Sequence, residues 1–192
     1  MAGLPAPAGK TQYPLPAGGV STMRYGKSIT AASCSVMVII GIVLSHGTLR
    51  TNREGLALIG NAEGCRRLPY RCPAGYLTDG IGDTHHVTRT PKTDDDIARD
   101  WERNIAAAEQ CVNHYARGRS LTDDTFSAVT SITFNVGCEA MRHSTLFALL
   151  RQGRVRQACR QFPRWIYAGG VPLPGLITRR AQEQALCLKG AS

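Results

Sequence analysis

At 192 residues the chain is one ordinary domain's worth, and a hydrophobic share of 43% is enough to build a core. The net charge of +9 fits an anionic partner (nucleic acid, membrane surface or acidic polymer) or a merely solubilising surface. The arginines are spread through most of the chain after Arg50, unlike the compact basic stripe of a DNA-reading helix. Seven cysteines, Cys34, Cys65, Cys72, Cys111, Cys138, Cys159 and Cys187, contain no C-x-x-C pair, so zinc-ribbon and thioredoxin-like readings have little support. Disulfides in an oxidising compartment fit better, with one thiol left over.

Met1 to Val20 is rich in Pro, Gly and Ala without a period, which predicts disorder through the basic segment 1–27. Met23, just before Arg24 and Lys27, is an alternative start. Ser28 to Leu49 then carries no Lys, Arg, Asp or Glu, with its apolar heart from Ala31 to Leu44. The preceding cations place the N-terminus in the cytoplasm by the positive-inside rule. A durable membrane helix wants ~20 strongly apolar residues; Thr30, Ser33, Ser35, Gly41 and Ser45 dilute this one. Segment 28–49 therefore reads as a weak, removable anchor, with a signal peptide cleaved near Ser45-His46-Gly47 as the alternative. Either way the chain is exported.

Residues 50–192 form the folded domain. Leu56, Ile59 and Ala62 predict a short helix ending near Gly64, just past Glu63. Pro69 and Pro73 exclude regular helix from the next stretch, and Tyr76-Leu77-Thr78 and Ile81 read as short strands around Gly80 and Gly82. Thr93 before Asp94, Asp95 and Asp96 caps a helix whose inward face is Ile97, Trp101, Ile105, Ala108 and Val112, with Gly118 as its stop. Thr122 opens another with Phe126, Val129, Ile132 and Val136 inward, ended by Gly137. Ser144–Leu150 and Val155–Phe162 give two more, Pro172 and Pro174 break the chain, and Ile177–Leu188 closes it. The expected fold class is α+β, a small β-containing lobe and a larger helical lobe behind an N-terminal hydrophobic helix.

Glu63 sits where a helix ends beside turns and strands, with a thiol at Cys72, a hydroxyl at Thr78 and glycines that let a substrate approach. Its bland alternative is a salt bridge to Arg66 or Arg67. The order Glu63, Cys72, Thr78 resembles the Glu–Asp/Cys–Thr triad of the phage lysozymes of glycoside hydrolase family 24. Glu63-Gly64, Pro69-Tyr70, Gly75-Tyr76-Leu77-Thr78, Gly80-Ile81-Gly82, Phe134-Asn135-Val136-Gly137, Trp165, Gly175-Leu176 and Arg179-Arg180 extend the resemblance over roughly Asn52 to Gly190. Asp83 departs from it, since many members carry His there.

The resemblance implies a lysozyme-like fold and a muramidase that cleaves the β-1,4 bond between N-acetylmuramic acid and N-acetylglucosamine in peptidoglycan. Glycosidases ordinarily place two carboxylates about the scissile bond. Here Glu63 would be the general acid, while a Cys72 thiolate with Thr78 would hold or activate the attacking water, implying inversion or direct water attack. A thiol serves only when free and partly ionised. Cys34 within the weak anchor, with Cys65 and Cys72, is similar to the arrangement in signal-arrest-release endolysins. That likeness implies a Cys65–Cys72 bond while the protein is tethered to the host inner membrane, facing the periplasm. After release into the periplasm, Cys34 would attack Cys65 and free Cys72. The remaining four would pair as Cys159–Cys187 and Cys111–Cys138, one of three connectivities. No metal, cofactor or nucleic acid is expected, and the chain reads as a monomer. Zinc on Cys65, Cys72, His85 and His86 fits no familiar spacing. The competing readings are a non-catalytic, membrane-anchored cell-wall-binding module and a cytoplasmic nucleic-acid binder with free thiols.

Overall fold

The computed structural model describes residues 33–71, 75–85 and 87–191. Expectations for residues 1–32, Cys72 and His86 lie outside the described residues. The α+β class holds, with helices α1 (Val36–His46), α2 (Arg53–Glu63), α3 (Asp94–Tyr115), α4 (Asp123–Val136), α5 (Cys138–Arg142), α6 (Thr145–Arg151), α7 (Val155–Cys159) and α8 (Pro174–Gly190). Two small antiparallel pairs join them, β1 (Arg66–Arg71) with β2 (Leu77–Gly80), and β3 (Tyr167–Ala168) with β4 (Val171–Pro172).

Local chemistry sets most of these boundaries. Thr93 and Asp96 form a reciprocal capping box at α3, and the Asn52, Thr122 and Ser144 side chains cap α2, α4 and α6. Three expected boundaries move. The chain leaves α3 at Ala116 because Arg117 turns left-handed (φ 55°), and Gly118 opens a 3-10 turn instead of ending the helix. Pro174 starts α8 rather than breaking the chain, since a proline in the first helical turn sacrifices no intrahelical bond. Val155 begins α7, which stops at Cys159, and residues 162–164 form a separate 3-10 turn.

Apolar side chains collect in two clusters. The larger joins α3 to α8 around Phe126, Val129, Ile132, Phe147 and Phe162. The smaller packs Ile39, Ile40 and Val43 of α1 against Leu56 and Ile59 of α2, Ile81, and Ile97, Trp101 and Ile105 of α3. Ala62, expected on the inward face of α2, is exposed. Gly60 takes the inward place, and a Cβ there would stand 2.6 Å from Val36 Cγ1, so its bare backbone lets α1 approach. Full burial of each α1 aliphatic contributes about 1.5–3 kcal/mol. No helix among the described residues is long and apolar enough to cross a membrane.

At its end α1 is held by His46, whose Nδ1 lies 2.8 Å from Glu102 Oε1. Just beyond, Arg50 pins the chain to the helical lobe. It donates to the carbonyls of Gly118 (2.9 Å) and Leu121 (2.5 Å), pairs with Asp123, and lies over the Phe126 ring.

Candidate active site

Glu63 is the last residue of α2, which stops because Gly64 turns to φ 72° while still donating to the Gly60 carbonyl. The stop turns the carboxylate out of the helix and leaves it 28% exposed. Its partner is neither Arg66, which stacks on Tyr70, nor Arg67, which pairs with Asp94. Arg179, 116 residues away on α8, donates Nη1 to Glu63 Oε1 at 3.2 Å. Gly82 (φ 74°) confronts the other oxygen, and a Cβ there would sit 3.2 Å from Oε2. An open groove of about 1360 Å³ begins at Glu63 and runs between α2 and α8, bordered by Asn61, Asn135, Leu176 and Arg179.

Behind Arg179 lies a buried ionic layer. Glu183, wholly buried, accepts from Arg179 Nε (3.2 Å) and Ser131 Oγ (2.6 Å) and meets Arg180 Nη1 at 2.9 Å. Burial pushes the Glu183 carboxyl up, against the opposing pull of Arg180, Ser131 and Arg179. Burial likewise lowers the Arg180 guanidinium to about 10, so it stays charged at neutral pH. Arg180 also donates to Asn135 Oδ1 at 2.5 Å. This layer fixes the orientation of Arg179, and through it the acid.

Thr78 is buried on β2, opposite Tyr70 of β1, and its hydroxyl donates to the Tyr76 carbonyl at 3.1 Å. Two residues beyond Tyr70 stands Cys72, outside the described residues. From Thr78 the chain enters the turn Gly80-Ile81-Gly82, which brings Gly82 against Glu63. Paired backbone bonds between Asp79 and Asp83 (3.0 and 2.9 Å) close that turn. Structure thus gathers Glu63 with the turn that follows Thr78.

Asp83, the departure from the family pattern, belongs to a buried ion cluster. Lys92 Nζ lies 2.6 Å from Asp79 Oδ1, 2.5 Å from Asp100 Oδ2 and 3.4 Å from Asp83 Oδ2. Those three carboxylates lie close enough together to hold a cation, and the ammonium fills that place. Asn104 Nδ2 donates to Asp83 at 3.2 Å, and Arg103 pairs with Asp100. Neither the Lys92 cluster nor the Arg179 contact was assigned from sequence. Only the Arg179-Arg180 pair within the family pattern pointed toward the latter. Cys65 is bonded to Cys34 and so is withdrawn from the zinc set, of which His85 is exposed.

Among the described residues, three disulfides connect Cys34 to Cys65, Cys111 to Cys138 and Cys159 to Cys187. The first ties Cys34, two residues ahead of α1, to the residue ahead of β1, where Ser33 also pairs with Arg66. The second ties α3 to α5, and the third α7 to α8.

A helical body with a small sheet and an acid at the end of α2 defines a lysozyme-type fold, and the phage lysozyme profile matches residues 60–183. The chain belongs to the phage lysozyme family. It is 47% identical to the SAR-endolysin of Escherichia phage P1, across 83% of this chain and 92% of that protein. Two crystal structures of that phage's endolysin Lyz are similar to different degrees. The active form matches with a TM-score of 0.80 at 46% identity, covering 84% of this chain and 97% of its own. The secreted inactive form matches at 0.53 and 44% identity, covering 74% and 97%.

Proposed function

We propose that this chain is an exported phage endolysin that hydrolyses the β-1,4 bond between N-acetylmuramic acid and N-acetylglucosamine in peptidoglycan. Glu63 protonates the leaving oxygen, and Cys72 with Thr78 holds the attacking water. One observation carries the reading. Glu63 is fixed between Arg179 and Gly82 at the mouth of a groove, yet its carboxylate keeps 28% exposure for a substrate.

The same reading assigns this conformation to the released, armed state. In the tethered state Cys65 is bonded to Cys72, which removes the thiolate. On release, a Cys34 thiolate attacks the Cys65 sulfur, the Cys34–Cys65 bond forms, and Cys72 leaves as thiolate. A falling membrane potential favours release of the weak anchor. Three features support this: the Cys34–Cys65 bond, the seat of α1 in the smaller cluster, and the greater likeness to the active relative.

Glu63→Gln is expected to cut release of reducing ends from peptidoglycan by about 10²–10⁴-fold with an unchanged circular dichroism spectrum. Retained hydrolysis sinks the catalytic assignment, and binding without hydrolysis by the unaltered protein favours a wall-binding module. Cys65→Ser should be active in a chain that also lacks Cys34; continued need for Cys34 overturns the exchange scheme.

A further inference from the structure

The Lys92 side chain is 4% exposed and stands among three carboxylates. Its backbone is committed as well: Lys92 N donates to the Arg67 carbonyl at 3.0 Å, and Arg67 Nη1 donates to the Lys92 carbonyl at 3.2 Å. One residue therefore grips β1 by its main chain. It also grips the end of β2 through Asp79, the following turn through Asp83, and α3 through Asp100. Thr88 N adds a bond to Asp79 Oδ2 at 3.1 Å.

Each grip leads to a position of the proposed site. β1 runs directly into Cys72. Asp79 follows Thr78, and Asp79 and Asp83 close the turn that holds Gly82 against Glu63. The opposite side of Glu63 is held by Arg179, which belongs to α8 and has no link to this cluster among the described contacts. We infer that Lys92 is a positioning residue for glycosidic hydrolysis, its buried ammonium setting the β1–β2 frame and the Gly80–Gly82 turn against Glu63. This rests on the muramidase reading above.

The physical case is one of competing needs. Asp79, Asp83 and Asp100 carry three formal negative charges in a buried space, and carboxylates so close repel unless a cation compensates them. The ammonium offers three donors and satisfies all three acids from one atom. Without it the carboxylates separate or take up protons, and either change alters the spacing between Asp79 and Asp83. Catalytic groups tolerate little of this, since a misplacement of ~1 Å can cost ~10²-fold in rate. Substrate binding in the groove between α2 and α8 lies on other elements and should survive.

Two variants test the inference. Lys92→Met keeps the unbranched stem and deletes the charge, whereas Asp100→Asn loosens the α3 attachment and leaves the ammonium with Asp79 and Asp83. Reducing-end release from soluble peptidoglycan fragments is measured at a temperature where circular dichroism shows each variant folded. Expected results are a fall in kcat of about 10–100-fold for Lys92→Met and a smaller fall for Asp100→Asn, with KM within about twofold of the unaltered protein. Should Lys92→Met fail to fold, Asp100→Asn alone decides. A folded variant with lowered melting temperature but unchanged kcat makes the cluster merely structural and overturns the inference. An unaltered protein that releases no reducing ends overturns the muramidase reading instead, so the two failures are distinguishable.

Discussion

The two apolar clusters are built from different kinds of sequence. The larger one draws on amphipathic helices α3 to α8, and two disulfides, Cys111–Cys138 and Cys159–Cys187, staple its helices together. The smaller has ten fully buried members, and three of them, Ile39, Ile40 and Val43, come from α1. That helix lies in the segment whose composition reads as a weak membrane anchor. A segment apolar enough to enter lipid is also apolar enough to complete a protein core, and in the proposed life cycle the same side chains serve both solvents. The helical lobe is closed on itself, whereas the smaller cluster depends on a piece that the proposed life cycle keeps elsewhere at first.

That contrast is open to attack. Phe147→Ala in the larger cluster should cost about 3–5 kcal/mol and lower the single global transition in denaturant. A biphasic transition would show that the lobes unfold separately. Ile40→Ala in the smaller cluster should cost about 2–5 kcal/mol, towards the lower end because exposed Met37 and Val38 leave α1 free to relax. Hydrogen exchange should locate that loss in α1, with α4 still protected; equal loss in both would erase the distinction. Gly82→Ala forces a side chain into left-handed backbone for about 1–2 kcal/mol and crowds Glu63 Oε2, so hydrolysis should fall far more than melting temperature.

The smallest effect belongs to the α3 cap. Thr93→Ala should cost about 1 kcal/mol and shift the melting temperature by a few degrees. The Thr93 hydroxyl and backbone N–H hold the Asp96 carboxyl below its ordinary value of 3.8. A carboxyl lowered on folding contributes stability above 3.8 and loses it as pH falls through the lowered value. Acid melting below about pH 4 should therefore differ less between Thr93→Ala and the unaltered protein than melting at pH 7 does. An equal difference at both values would separate the cap from Asp96 ionisation.

Local signals carried the fold a long way. Thr93, Thr122, Gly64 and Gly137 mark helix ends through bonds to backbone groups within one turn, which a sequence displays directly. Harder features depend on distance. The Glu63–Arg179 contact spans 116 residues, and nothing near Glu63 favours Arg179 over the adjacent Arg66 and Arg67. Lys92 reads as an ordinary solvated cation until Asp79, Asp83 and Asp100 are brought around it. The β3–β4 hairpin had a legible sign in Gly169-Gly170, both at positive φ, between two short apolar runs. Glu63 stands out as the candidate acid only because its neighbours match a known pattern; residue chemistry by itself leaves it as one more surface acid.

Arg50 has a mechanical consequence. Its guanidinium is cleated to Gly118, Leu121 and Asp123 on the helical lobe, immediately after Gly47 ends α1 and before Asn52 starts α2. Along the main chain from α1 through Gly47 to Leu49, Arg50 is the first firm hold before α2, while the Cys34–Cys65 bond and the α1–α2 packing couple the two helices directly. Along the main chain, then, the line is made fast at one arginine.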